Sequence, residues 1–189
     1  AIGAKAGVPN KDKAAAIAQQ AAMASGGLMV PSVTPASFSR MPEVPAGKPL
    51  AKVPDPALVE DTPNGPLPKI SADGRSPLQA YARPFDRNDR RPRLSVIVAG
   101  LGLSPAATEA AITRLPAAVT LAFDPYASGL EGWLAMARER GHEILLSVPL
   151  EPDNFPVQDP GPYSLLTSFD PPENLRRLEF LMARMGGYV

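Results

Sequence analysis

The chain has 189 residues, no cysteine, and 19 basic against 19 acidic residues, which gives a formal net charge of zero. This composition excludes disulfides and thiolate metal sites, and it gives no electrostatic reason to expect nucleic acid as a partner. No run of about 18 apolar residues occurs, so the sequence predicts no transmembrane helix. Membrane contact is expected only through an anchor that precedes Ala1.

Residues 1–92 are predicted to form a disordered leader and linker that is rich in alanine and proline. Prolines recur every few residues between positions 31 and 68, which favours extended conformations and turns. Residues 10–25 favour a marginal helix whose apolar side chains are mostly alanine. Three large apolar side chains in residues 76–86 are predicted to dock on the following domain as an arm: Leu78, Tyr81 and Phe85.

Residues 93–189 alternate between strand and helix patterns, which predicts an α/β fold with parallel strands. Strands are expected at 94–98, 119–123 and 143–148. The intervening helices are expected to begin at three N-caps: Ser104, Ser128 (in a capping box with Glu131) and Asp170. Tyr188 and Val189 are expected to start a fourth strand.

Three to four strands of this kind predict a partial parallel (β/α) barrel or part of a larger sheet, in a natural domain that is expected to continue past Val189. Half a barrel exposes strand edges, so residues 93–189 in isolation are expected to be unstable or to associate. The sequence does not indicate an oligomeric state.

Chemistry in such folds gathers at the carboxyl ends of the strands. The first strand ends in Ala99-Gly100, and Gly100 and Gly102 form a G-x-G corner with room for a ligand. Pro105 stands where a dinucleotide-binding fingerprint needs its third glycine, which disfavours that function.

Polar residues near the other strand ends are candidates for function: Asp124 and Glu151 for catalysis, and Tyr126 and Asp159 for substrate binding. For each of them, a turn hydrogen bond within its own loop is the preferred interpretation. His142 is the single histidine and is expected to be structural, and Ser147 has no histidine base within plausible reach. No metal site can be assembled from these residues.

Several segments resemble the divergent polysaccharide deacetylase family: VIVAGLGLSPAATEAAI, LPAAVTLAFDPYA, GHEILLSVPLEP, FPVQDPGPYSLLT and ENLRRLEFLMARMGGYV. The resemblance covers residues 93–189, the first half of the expected domain. It implies a distorted (β/α) barrel related to carbohydrate esterases, in the bacterial periplasm or held at the inner membrane by an anchor. It also implies a glycan or peptidoglycan fragment as partner.

In related deacetylases the first strand ends in two aspartates, a general base and a metal ligand. The resemblance places Ala99 and Gly100 at those positions, and Ser147 where many relatives carry a histidine. A divalent metal is therefore expected only if its ligands lie beyond Val189. Two functions stay open: an envelope hydrolase of the carbohydrate deacetylase type, impaired in metal-dependent deacetylation, and a non-catalytic barrel that binds a glycan or a protein partner.

Overall fold

A computed structural model describes Phe38 and residues 40–189. The predicted helix at residues 10–25 lies outside the described residues. The elements in chain order are a 3-10 turn at Pro56–Leu58, β1 (Val59–Thr62), β2 (Gly65–Pro68), α1 (Pro77–Tyr81), β3 (Ile97–Leu101), α2 (Pro105–Arg114), β4 (Thr120–Phe123), α3 (Leu130–Glu139), β5 (Ile144–Leu146) and α4 (Pro171–Ala183).

The centre of the fold is a parallel three-stranded sheet in the order β3-β4-β5. All four residues of β4 are buried, as an apolar central strand covered on both faces requires. Side chains of β4, β5, α2 and α3 share one hydrophobic cluster that includes Ile112, Leu121, Phe123, Leu134 and Ile144. The predicted α/β fold with parallel strands is thus confirmed.

Strand β3 begins three residues later than the sequence predicts and runs through the supposed corner. Val98 pairs with Leu121 and Leu101 pairs with Phe123, so β3 carries one extra residue and the register shifts. This is a β-bulge, and Gly100 within it has a φ of 75°. Leu94 is 88% exposed, because the predicted start of the strand lies outside the sheet.

The far end of the chain returns to the sheet beside β5. The Val189 N–H donates to the Ile144 carbonyl oxygen at 3.1 Å, which agrees with the expectation that a further strand begins here. The long loop before α4 pairs with itself through a parallel bridge between Leu150 and Leu165. Among the described residues, no helix combines the length and apolarity needed to cross a bilayer.

The three predicted helix caps behave differently. Ser104 caps α2 as expected, since its hydroxyl accepts a hydrogen bond from the Ala107 N–H at 3.5 Å. Asp170 accepts a hydrogen bond from the Glu173 N–H at 3.0 Å and caps α4 as expected. The capping box at Ser128 is wrong, because the N-cap of α3 is Gly129, with a φ of 66° and no side-chain cap. Gly129 occupies the N-cap position with left-handed backbone, so Ser128 lies one residue before it and its side chain does not cap the helix.

The prediction of a disordered leader up to residue 92 is wrong for much of its described part. Strands β1 and β2 form an antiparallel hairpin, and residues 41–51, here called the N-terminal strap, lie against α2 and α3. The N–H groups of Val44, Gly47 and Leu50 donate to the carbonyl oxygens of Thr113, Arg140 and Arg138. The strap therefore adds hydrogen bonds to carbonyl groups near the carboxyl ends of α2 and α3, where the regular helical partners run out.

Arginine side chains from the barrel bind the strap in return. They donate to its main-chain carbonyl oxygens: Arg114 to Met41, Arg140 to Val44 and Arg138 to Ala51. Polar backbone contacts of this kind explain how a proline-rich segment with few apolar side chains can dock.

The predicted arm at residues 76–86 docks through one of its three large side chains. Helix α1 has a complete capping box between Ser76 and Gln79. Tyr81 is only 2% exposed, and its hydroxyl accepts a hydrogen bond from the Asp55 N–H at 2.8 Å. Leu78 and Phe85 are each 61% exposed, contrary to the prediction that they pack on the domain.

Candidate functional site

The ends of β3 and β4 lie side by side. The Asp124 N–H donates to the Leu101 carbonyl oxygen at 2.9 Å, across the two strand tips. Ala99 and Gly100 are both exposed. The structure therefore presents at this edge the two positions that the sequence singles out, and neither has a side chain that can bind or transfer a proton.

The two corner glycines have different roles. A Cβ on Gly102 would lie 2.4 Å from the Ala127 Cβ, and its N–H donates to the Thr108 hydroxyl at 2.8 Å. Gly102 thus packs the corner against the loop after β4. A Cβ on Gly100 would meet no atom within 4 Å, so of these two glycines only Gly100 has open space beside it.

Tyr126 and the turn that contains Asp159 are brought together. Gly161 lies against the Tyr126 ring so closely that a Cβ there would be 2.4 Å from a ring carbon. The Tyr126 hydroxyl accepts a hydrogen bond from the Tyr163 N–H at 3.0 Å. One Asp159 oxygen accepts from the Gly161 N–H at 2.9 Å, so this carboxylate holds its own turn.

The two candidate catalytic carboxylates are also engaged in loop hydrogen bonds. Asp124 Oδ1 accepts from the Tyr126 N–H at 2.8 Å. Glu151 Oε2 accepts from both the N–H and the hydroxyl of Thr167, the latter at 2.9 Å. No hydrogen bond joins Asp124 to Glu151 among the described residues. These contacts agree with the structural interpretation of both side chains.

His142 lies at the opposite end of the strands from the β3 and β4 tips, next to the amino end of β5. It is 1% exposed, with Nδ1 2.8 Å from the Val119 carbonyl oxygen and Nε2 3.1 Å from that of Ile112. Its ring therefore links the ends of β4 and α2 within the core. This agrees with the predicted structural role and removes the histidine from any site at the strand tips.

The described residues do not fit a catalytic metal. Within residues 40–189, no three or more histidine, cysteine, aspartate or glutamate side chains gather closely enough to hold an ion. Metal sites in hydrolases need oxygen and nitrogen ligands of this kind.

Sequence reasoning missed a cleft that opens beside the strand tips. The cleft has a volume of about 450 Å³ and lies between the loops after β3 and β4 and one side of α3, with Leu103, Ser128, Gly132, Trp133 and Met136 among its lining residues. Periodicity assigns Trp133 to the core, and it does pack partly against the core cluster. In the sequence, only Gly132 points to this cleft. A glycine inside a helix is unfavourable, and here no close contact explains it, because a Cβ on Gly132 would meet no atom within 4 Å.

A second missed residue brings positive charge to the end of β4. Arg184, which follows α4, donates from Nε to the Pro125 carbonyl oxygen at 3.2 Å. Arg184 lies 59 residues after Pro125 in the chain. At that separation the spacing in the sequence does not indicate that the two residues are in contact.

Residues 96–189 match the sequence model of the divergent polysaccharide deacetylase family. This segment belongs to that family. A solved structure of an uncharacterized protein from Agrobacterium tumefaciens C58 is similar, with 43% sequence identity and a TM-score of 0.63. The similarity covers 66% of this chain and 50% of that protein's chain, so the chain spans about half the length of this relative. No curated protein matches the chain.

Proposed function

We propose that this protein is a glycan-binding member of the divergent polysaccharide deacetylase family that acts in the bacterial cell envelope and is impaired in metal-dependent deacetylation. The end of β3 carries the proposal. The family resemblance expects a general base and a metal ligand there, and this chain has Ala99 and Gly100. Neither side chain accepts a proton or coordinates a divalent ion.

The backbone at Gly100 reinforces this difference. Its φ of 75° lies in the left-handed region, where a residue with a Cβ is disfavoured by about 1–2 kcal/mol. Space is not the obstacle, because a Cβ there would meet nothing within 4 Å. The bulge therefore suits glycine at this position.

The cleft beside the strand tips offers a place for a sugar ring. Trp133 presents an aromatic surface, and Leu103 and Met136 are 61% and 37% exposed. Sugar rings combine apolar C–H faces with hydroxyl groups, which suits an aromatic wall that has a polar neighbour such as Ser128. The cleft also lies at the carboxyl ends of parallel strands, where folds of this class bind their ligands.

Titration calorimetry with N-acetylglucosamine oligosaccharides tests the binding function on the 189-residue chain. We expect saturable binding that Trp133→Ala weakens at least tenfold. Because Trp133 also packs on the core, Gly132→Leu provides a second variant that fills the cleft from an exposed helix position. Phe85→Ala is the matched control, since Phe85 is exposed and does not line the cleft. The absence of binding by the parent chain, or equal binding by all variants, contradicts the proposal.

Acetate release tests the impaired reaction. The chain is incubated with the same oligosaccharides and added Zn²⁺ or Co²⁺, and released acetate is measured against a protein-free blank. We expect no release above the blank. Acetate release that depends on stoichiometric metal binding refutes the impairment and favours the active deacetylase. The envelope location is tested by fractionating cells that produce the native protein, and recovery in the cytosolic fraction contradicts it.

A further inference from the structure

A second cleft lies toward the amino ends of the strands, where the N-terminal strap meets α3. We call it the base cleft. It has a volume of about 310 Å³ and is bounded by residues 48–51, residues 80–84 and Arg138. Three of its lining residues are cationic, namely Lys48, Arg83 and Arg138, and none is acidic. They come from three separate segments that the fold brings together.

Arg138 is the central group of the base cleft. It is 2% exposed, and within residues 40–189 no carboxylate lies within ion-pair distance of it. Its Nε donates to the Ala51 carbonyl oxygen at 3.0 Å and its Nη1 to that of Tyr81 at 2.7 Å. Nη2 has no hydrogen-bond partner among the described residues, although it is not fully enclosed. Burial lowers the pKa of this guanidinium from its usual value, so an anion here would relieve a real desolvation cost.

Arg83 has a similar surplus of donors. Its Nη1 donates to the Gly141 carbonyl oxygen at 3.0 Å, and its Nε and Nη2 have no partner in the described part of the chain. Lys48 is exposed on the strap, so its ammonium group is free to turn toward a ligand. Two guanidinium forks and an ammonium group are the donor set that phosphate-binding proteins use.

The nearby acidic groups offset only part of this positive charge. Glu143 is the acid that acts on Arg138 through space, and its two oxygens accept from the Arg83 main-chain N–H at 2.6 Å and the Thr120 hydroxyl at 3.2 Å. Glu139 lines the adjoining cleft together with Lys52. With Lys52 added to the three cations of the base cleft, four basic side chains stand against the two acidic ones, so the region keeps an excess of positive charge.

We propose that the base cleft binds a phosphate group, either as inorganic phosphate or on a small phosphorylated ligand. Bound phosphate bridges the strap, the segment after α1 and the end of α3, and so holds the strap against the barrel. The proposal is independent of glycan binding, since the two clefts lie toward opposite ends of the strands. A cleft of 310 Å³ leaves room for a substituent on the phosphate.

Thermal unfolding at constant ionic strength is the first test, with the 189-residue chain in inorganic phosphate, glucose 6-phosphate or chloride. At a ligand concentration tenfold above Kd, linkage raises the unfolding midpoint by roughly 3–6 °C. Stabilisation by inorganic phosphate identifies the free ion as sufficient, and stabilisation by glucose 6-phosphate alone identifies a phosphorylated ligand. If neither exceeds the chloride reference, the proposal is wrong.

Charge variants locate the site. Lys48→Glu is expected to reduce phosphate affinity at least tenfold, whereas Lys69→Glu makes the same charge change at an exposed hairpin position outside the cleft. Arg83→Met is the second variant, because Arg83 contributes one of the two guanidinium groups. Hydrogen exchange adds a structural readout: phosphate is expected to slow exchange at residues 48–51 and 80–84 in the parent chain. Equal loss of affinity in both lysine variants would show a general charge effect and overturn the assignment.

Discussion

Replacing Arg138 with methionine tests whether buried polar contacts hold the N-terminal strap. Methionine keeps much of the aliphatic volume and removes the guanidinium, with its hydrogen bonds of 3.0 and 2.7 Å to Ala51 and Tyr81. Hydrogen bonds from a charged donor contribute about 1.5–3 kcal/mol each. Part of that loss is offset because the variant no longer buries a charge, a cost that the lowered pKa of Arg138 reflects.

We therefore expect a net destabilisation of about 2–3 kcal/mol, which corresponds to a decrease in Tm of roughly 4–12 °C for a chain of this size. Calorimetry measures the decrease, and hydrogen exchange should show faster opening of residues 41–51 than of β4. Arg176→Met is the matched control, because Arg176 pairs with Glu173 on the surface of α4, with 60% of its side chain exposed, and exposed pairs contribute little. A variant within about 0.5 kcal/mol of the parent chain would refute the reasoning.

Three further outcomes are expected. Gly102→Ala should lower the free energy of unfolding by about 2–4 kcal/mol, because the new Cβ would lie 2.4 Å from the Ala127 Cβ and the backbone has a φ of 96°. Gly132→Ala should raise the free energy of unfolding by about 0.5–1 kcal/mol, because alanine favours the helix and its Cβ meets no atom within 4 Å. Chemical denaturation measures both changes. Tyr188→Phe should stabilise the fold by about 1 kcal/mol, since the buried hydroxyl has no partner among the described residues and burial raises its pKa to about 12; a loss of stability would reveal a partner. Asp73 has a pKa lowered to about 2, chiefly by the hydrogen bond from the Ser71 hydroxyl, so its contribution to stability is present above pH 3.8 and lost as the pH falls toward 2. Asp73→Asn should remove that dependence, which denaturation curves between pH 2 and 6 would detect.

Elements with local signals were predictable from the sequence. Asp170 and Pro171 fix the start of α4, since an aspartate cap followed by proline favours one helix register. Gly141 marks the end of α3 in the same way, with a φ of 91°. Ser128 shows the limit of such signals, because the left-handed backbone of Gly129 replaces the expected cap.

Long-range contacts left no comparable signal. The proline content of the strap predicts disorder when the segment is considered alone, yet its backbone binds residues far along the chain. The hydrogen bonds of Arg138 and Arg140 to the segment span 87 and 96 residues. Nothing in the local pattern marks an arginine as the donor to a distant carbonyl oxygen.

The candidate site likewise has parts that local sequence signals predict and parts that depend on long-range contacts. Ala99 and Gly100 could be placed near the carboxyl end of the first strand from the sequence, because an apolar run leads into a glycine-rich turn. The bulge that carries the strand on to Leu101 left no such signal. Gly100 and Gly102 look alike in the sequence, and only the structure shows that one packs closely and the other faces open space. The cleft beside Trp133 depends on how two loops approach α3, which no single segment encodes.

The arginines of the barrel recognise the strap through its main chain rather than its side chains. Every residue type except proline offers the same backbone groups, and proline still offers the carbonyl oxygen. The information that specifies docking therefore resides in the barrel, at Arg114, Arg138 and Arg140. Substitutions in the strap are expected to be tolerated during evolution wherever its carbonyl oxygens keep their positions, while each of the three arginines is constrained.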